Sequence, residues 1–167
     1  MSVLRPIIVA LCMTVWGSPC WSQVEPITLP GGGEQRVAPS VVRIGDSIHV
    51  TGALLGLPPN TEVGFHIHEK GDCSAPDASS AGGHFNPTNT EHGDPQGAMH
   101  HGGDMLNAKS DAQGTAQVDV VASGVSLTSG QPDDVHGKAI VLHEKRDDYK
   151  TQPSGDSGKR IACGVIH

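Results

Sequence analysis

The chain has 167 residues, enough for one domain with a real core and hardly enough for two. Its 22 glycines and 12 prolines favour a turn-rich β protein over a helical one, and no long stretch has helical periodicity. A formal charge of -7 argues against nucleic acid and anionic membrane surfaces as partners, and ten histidines are the one unusual count.

The first 22 residues, MSVLRPIIVALCMTVWGSPCWS, carry one basic residue, Arg5, then the apolar run Pro6 to Trp16, then small residues. This reads as a secretory signal peptide with a cut near Cys20 or Ser22, because the run is too short to span a bilayer. Residues 1–22 are expected to be removed, leaving 23–167 as an exported domain with no stable membrane insertion. The mature charge is then about -8, since Arg5 leaves and no acidic residue does. Cys12 and Cys20 leave with the leader or border it. Cys73 and Cys163 remain, and an even pair in an exported protein is expected to form a disulfide. Closing so long a loop stabilises by roughly 4 kcal/mol in a chain-entropy treatment.

Val24 to about Ser40 reads as irregular, with an edge strand over Val24 to Leu29 weakened by its prolines. Ser47 to Thr51 alternates, with Ile48 and Val50 on one face and His49 and Thr51 on the other. Leu57-Pro58-Pro59-Asn60 is a turn, and Glu62 to His68 is the next strand. Ala116 to Val121 alternates again, Val125 to Leu127 is a short strand, Lys138 to His143 is a nearly continuous apolar run, and Ile161 to Ile166 closes the chain. Short strands between turn signals predict an all-β fold, an antiparallel sandwich or barrel. Glu69 to about Asn107 and Glu144 to Arg160 have no periodicity. Loops this long are uncommon in compact domains unless functional or disordered, so the first needs something to staple it.

The stretch GFHIHEKGDC, Gly64 to Cys73, places His66 and His68 two apart, and on a strand both project to one face. His143 ends another strand where it could join them. Imidazole suits copper, zinc and iron, although an H-x-H pair alone is more often exposed or satisfied within a core. The first loop adds His84, His92, His101 and Asp104, and a tetrahedral zinc site wants four such N or O ligands. Any one of these residues could be a solvated loop histidine; the set is harder to explain that way.

In order and approximate spacing, GFHIHE, GGHFNP, HGGD, IVLHEKRDD and RIACGVI resemble the copper/zinc superoxide dismutases over about Leu54 to Ile166. The cysteine just after H-x-H-E resembles the bacterial, periplasmic branch. The resemblance implies a Greek-key β-sandwich or flattened barrel, immunoglobulin-like, with two long functional loops. It implies copper held by His66, His68, His84 and His143, and zinc held by His84, His92, His101 and Asp104, one of each metal per chain. His84 would be the shared imidazolate and a catalytic proton carrier, and Arg160 the catalytic guanidinium beside the copper channel. Asp147 would link ligands of the two metals, and Cys73 would pair with Cys163. The implied reaction is the dismutation of superoxide to dioxygen and hydrogen peroxide, an antioxidant role, by a monomer or homodimer. Lys145, Arg146, Lys150, Lys159 and Arg160 are expected to rim the site and draw in the anion despite the negative net charge. Val63 stands where many members carry another histidine. His49, His100, His136 and His167 are expected to be surface residues. Rival readings are a copper-binding module without turnover, a copper-only dismutase and a purely structural domain; the complete ligand set and Arg160 argue against them.

Overall fold

The computed structural model describes residues 21–27, 37–45 and 47–167. The leader expected over residues 1–22 lies outside these up to Cys20, as do Cys12 and Cys20 themselves. Among the described residues nine strands form: β1 Trp21–Ile27, β2 Val37–Ile44, β3 Ser47–Leu54, β4 Glu62–Val63, β5 Phe65–His68, β6 Ala108–Lys109, β7 Ala116–Ala122, β8 Ala139–His143 and β9 Arg160–Ile166. A three-residue 3-10 turn at Ser79–Ala81 is the one helical element among the described residues. Seven strands pair antiparallel in the order β5-β8-β9-β1-β2-β3-β7, and β4 pairs with β6 in a second ladder. Sheet neighbours β3 and β7, β5 and β8, and β9 and β1 are thus far apart in the chain, the connectivity of a Greek-key sandwich.

Alternation drives the first half of the sheet. Ile48, Val50 and Leu54 on β3 and Ala116, Val118 and Ala122 on β7 are buried, while Gln117 and Asp119 face solvent. They enter one apolar core with Val63, Phe65, Ile67, Met105, Ile140, Leu142 and Ile166. β5 and β8 are buried at every position. Their second face, bearing His66, His68 and His143, must therefore be covered by something other than the core.

β1 opens ahead of the expected edge stretch: Trp21 to Gln23 pair with β2, Val24 to Ile27 pair with β9 alone, and Thr28 and Leu29 lie outside the described residues. Because each half has one partner, Pro26 lies in a stretch that needs donors on one side only, which is where a strand tolerates proline. The described strand includes Trp21 and Ser22, which the leader expected over residues 1–22 also contains. Two expectations need correction. β2, read as partly irregular because of Pro39, is a full strand paired with β3 over its whole length; tertiary pairing of Val37, Val41, Val42 and Ile44 overrides the proline. Val125 to Leu127 is not a strand; Ser126 makes only an isolated bridge with Asp134. In addition, Glu62 to His68 is broken at Gly64, where the chain leaves its pairing with β6 and joins β8.

The first long loop is tied along β5. Ile67 N–H donates to Gly103 O (2.9 Å), Phe85 N–H to Ile67 O (2.8 Å) and Gly103 N–H to Phe85 O (2.8 Å), so two distant parts of the loop lock onto one strand residue. Cys73 and Cys163 form the expected disulfide, with Cα atoms 5.7 Å apart. With Ala78, Ala81, Ala139 and Val141 they make a small satellite apolar cluster that pins residues 73–81 to β8 and β9. The second loop is fastened by Gly64 N–H to Lys145 O (2.8 Å), Glu144 N–H to Lys159 O (2.9 Å) and Lys145 N–H to Ser157 O (3.0 Å).

A Cβ on Gly103 would collide with the Ile67 carbonyl oxygen. Gly103→Ala is therefore expected to lower stability by about 1–3 kcal/mol, the usual cost of overpacking. Chemical denaturation would measure it, and an unchanged midpoint would contradict the interlock.

Candidate metal centre

β5 projects His66 and His68 together by its two-residue repeat, and β8 runs beside it with His66 opposite Val141 and Phe65 opposite Leu142. His143 follows at the end of β8, where the β8–β9 register shifts so that Leu142 faces Ala162 but His143 faces Arg160. This bulge leaves Ile161 as the extra residue and re-aims the strand end, as bulges beside functional sites do. His84 arrives from the first loop by bridging to His68.

Two groups result, with His84 in both: His66, His68, His84 and His143, and His84, His92, His101 and Asp104, the donor atoms of each lying within 4.8 Å of one another. Their shapes differ. In the first, neighbouring ring centroids are 4.0 Å (His66–His84), 4.9 Å (His66–His143), 5.1 Å (His68–His84) and 5.7 Å (His68–His143). The two remaining pairs, His66–His68 at 6.4 Å and His84–His143 at 6.3 Å, are the diagonals of a four-sided ring. Four imidazoles in that arrangement suit the tetragonal preference of copper(II). In the second group the three rings are nearly equidistant, at 5.4, 5.5 and 5.6 Å. Asp104 Oδ1 lies 2.8 Å from His84 Nδ1, 3.0 Å from His92 Nδ1 and 3.4 Å from His101 Nδ1. The edge of a tetrahedron around zinc with bonds near 2.0–2.1 Å is about 3.3 Å, so these donors fit that ion.

Five buried side-chain atoms have no hydrogen-bond partner among the described residues: His66 Nδ1, His68 Nε2, His84 Nε2, His92 Nδ1 and His143 Nε2. His92 Nδ1 approaches Asp104 without hydrogen-bond geometry. In each case the ring's other nitrogen is committed, that of His84 facing Asp104 Oδ1 at 2.8 Å. His66 Nε2 meets Asp147 Oδ2 at 2.7 Å, and His92 Nε2 meets Asp147 Oδ1 at 3.0 Å. His68 Nδ1 meets Gly82 O at 2.9 Å, and His143 Nδ1 lies 3.1 Å from Ser157 Oγ and 3.3 Å from Gly158 O. An N–H donated to Asp147, Gly82 O or Ser157 leaves a lone pair on the far side of the ring, so the orphan nitrogens of His66, His68 and His143 are acceptors that want a cation.

Asp147 is fully buried and serves both groups at once, also accepting Tyr149 N–H at 2.6 Å. Burial opposes its ionisation, but the imidazoles of His66 and His92 hold its carboxyl well below the ordinary value. Burial likewise opposes charge on Asp104, and His101, His84 and His92 overcome it. Asn107 brackets the Asp147 backbone, its Nδ2 donating to Asp147 O and its Oδ1 accepting Asp147 N–H, both at 2.9 Å. Tyr149 Oη accepts Asn107 N–H at 2.7 Å. Gly155, at φ 66°, has no room for a side chain, because a Cβ would strike the Asp147 carboxylate. The sequence reading missed Asn107, Tyr149, Gly155 and Ser157, whose partners lie in the other loop or on a strand end and leave no local pattern.

Arg160 reaches across the satellite cluster. Its guanidinium donates to Ala78 O (2.7 Å) and Gly82 O (2.6 Å), the second being the carbonyl that also holds His68. Its charge is close enough to contribute to the lowering of both His68 and His143. Lys145, Arg146, Lys150 and Lys159 are exposed, and Arg146 reaches Glu62 only loosely, at 3.7 Å. Val63 is fully buried in the main apolar core. His49 pairs with Asp119 (3.0 Å) and His136 with Asp134 (2.7 Å), while His100 meets His101 O (2.7 Å). None of these three belongs to a metal-holding group among the described residues.

A family model described as copper/zinc superoxide dismutase matches residues 40–166. The chain is 48% identical over 116 residues to "Superoxide dismutase [Cu-Zn] 2" of Aquifex aeolicus, covering 66% of this chain and 67% of the relative. It is 38% identical over 141 residues to "Superoxide dismutase [Cu-Zn]" of Caulobacter vibrioides, covering 81% and 80%. The solved structure of a superoxide dismutase-like protein from Bacillus subtilis superposes with a TM-score of 0.74 at 36% identity, over 88% of this chain and 97% of that one.

The site leaves a signature in acid and base. Burial first, and neighbouring imidazoles second, lower His68 to about 2, His143 to about 3 and His84 to about 4. Below the ordinary imidazole value of about 6.5 the unfolded chain takes up protons that the folded chain refuses, so stability falls as pH drops from there. His92 runs the other way: burial opposes its charge, but Asp104 and Asp147 raise it to about 9. Its contribution is complete below about 6.5 and fades as pH rises toward the raised value. The metal-free protein is therefore expected to melt highest near neutral pH and to lose stability on both sides. A melting temperature that stays level on acidification from pH 6.5 to 4 would contradict the geometry.

Proposed function

The chain belongs to the copper/zinc superoxide dismutase family, and from that premise we propose that it dismutates superoxide in the periplasm, after removal of residues 1–22, as a monomer or homodimer of the 23–167 domain. The observation that carries the reading is the set of five buried, partnerless ring nitrogens divided between a four-sided and a tetrahedral donor group. We assign copper to His66, His68, His84 and His143, and zinc to His84, His92, His101 and Asp104. The Cys73–Cys163 disulfide fits an oxidising compartment. No helix among the described residues is long and apolar enough to cross a membrane.

Copper, when bound, supplies one-electron exchange, by which one superoxide is oxidised to dioxygen and a second, with two protons, is reduced to hydrogen peroxide. The protein's part is to bring in the anion, hold it and supply a proton. Arg160 is half-buried, and two backbone carbonyls aim it; its remaining N–H donors are free to receive an anion beside His68 and His143. His84 is fixed through Nδ1 in the zinc group, so Nε2 can take up a proton without loss of ring position and return it to the reduced product. Zinc has no redox chemistry; its group tethers His84 and the first loop. The exposed cations of the second loop raise the local potential in a chain whose net charge would otherwise repel superoxide.

Metal analysis with activity tests this reading. One copper and one zinc per chain are expected, with dismutation lost on chelation and restored by both metals. Full loading without dismutation would make the chain a metal-binding module instead. Arg160→Gln is expected to lower the rate roughly tenfold or more, in the range of electrostatic steering. Lys159→Glu is expected to slow the enzyme at low salt and to lose its effect near 1 M, where screening acts over about 3 Å. A Lys159→Glu rate equal to that of the native chain at low salt would remove that lysine from the steering field.

A further inference from the structure

Beside the proposed copper group lies a buried hydroxyl with no role stated so far. Ser157 is 1% exposed, and its Oγ lies 3.1 Å from His143 Nδ1 and 2.9 Å from Ser154 O. The Ser154 carbonyl can only accept, so the hydroxyl proton goes there. Ser157 Oγ is thereby left as an acceptor, pointed at the Nδ1–H of His143. The other acceptor within reach, Gly158 O, is farther away at 3.3 Å, long for an N–H···O bond. His143 Nε2 on the opposite side of the ring is the buried, partnerless atom that faces the four-imidazole group.

Resting on that copper assignment, we propose that Ser157 is a positioning residue for His143: its hydroxyl, oriented by Ser154, fixes the Nδ1–H tautomer and the ring angle that present Nε2 to copper. The other three imidazoles of the group do not depend on it. His66 is held by Asp147, His68 by Gly82 O, and His84 by Asp104. The backbone around Ser157 supports the assignment. Ser157 O accepts Lys145 N–H at 3.0 Å, which ties the Ser157 backbone to the segment that follows His143. The role is selective for one metal: Ser157 touches no member of the zinc group among its described hydrogen bonds.

The test uses the full chain stripped of metal and titrated separately with copper(II) and zinc(II) against a competing chelator, for the native sequence, Ser157→Ala and Ser157→Thr. Loss of an orienting partner costs about 10- to 100-fold in metal affinity. Ser157→Ala is expected to weaken copper(II) by that factor and to shift the visible copper band, with first-equivalent zinc affinity unchanged. Ser157→Thr, which keeps the hydroxyl, is expected to recover most of the copper affinity. Should the added methyl prevent folding, the copper-to-zinc ratio of the alanine variant decides alone. Equal copper affinity in Ser157→Ala and the native chain overturns the inference. So does a parallel loss of both metals, which would mark Ser157 as general loop scaffold. A native chain that takes up no copper at all overturns the site assignment itself and the inference with it, an outcome separable from the first two.

Discussion

One buried carboxylate organises this molecule. Asp147 is sealed from solvent, yet its two oxygens reach the Nε2 atoms of His66 and His92, which belong to different donor groups. Burying an anion is costly unless it is paired and hydrogen-bonded. The partners found for Asp147 and for the equally buried Asp104 are imidazoles and backbone N–H groups, not lysine or arginine. Two buried negative charges thus face a cluster of imidazoles, three of which burial keeps neutral. Divalent cations held between them would supply the missing positive charge and so tie metal binding to the folding of both loops.

The sheet contributes direction and the loops contribute closure. A strand's two-residue repeat sets His66 and His68 parallel, and the β-bulge after Leu142 turns His143 toward them and brings Arg160 opposite. Everything else comes from long loops, which would have no reason to order without fixed points. They have three. Ile67 locks Phe85 and Gly103, the disulfide ties residue 73 to β9, and Asn107 and Tyr149 brace Asp147. The Gly82 carbonyl joins two of these functions, since it orients His68 and anchors Arg160 with one oxygen. The Arg160 guanidinium is therefore positioned by the same loop carbonyl that sets the His68 tautomer.

Much of this was legible in the residues themselves. The alternation of Ser47 to Thr51 and Ala116 to Val121, the H-x-H pair and the pairing of Cys73 with Cys163 follow from spacing and compartment, and the structure bears each out. The grouping of His84, His92, His101 and Asp104 needed the motifs to be read as a set, because each residue alone is an ordinary polar loop position. β1 and β2 were poorly legible for a physical reason: Pro26 and Pro39 suppress the local strand signal, and pairing with β9 and β3 outweighs it. The braces of the site were not legible at all. Asn107, Tyr149, Gly155 and Ser157 act through partners that folding brings near, and nothing in their immediate sequence marks them.

X-ray absorption at the copper and zinc edges of the metal-loaded protein tests the central claim most directly, because it reads each metal's ligands without reference to turnover. The account predicts copper surrounded by four imidazole nitrogens, and zinc by three imidazole nitrogens and one carboxylate oxygen. Sulfur at either edge, or fewer imidazoles on copper than on zinc, would contradict the division of ligands argued from the orphan nitrogens.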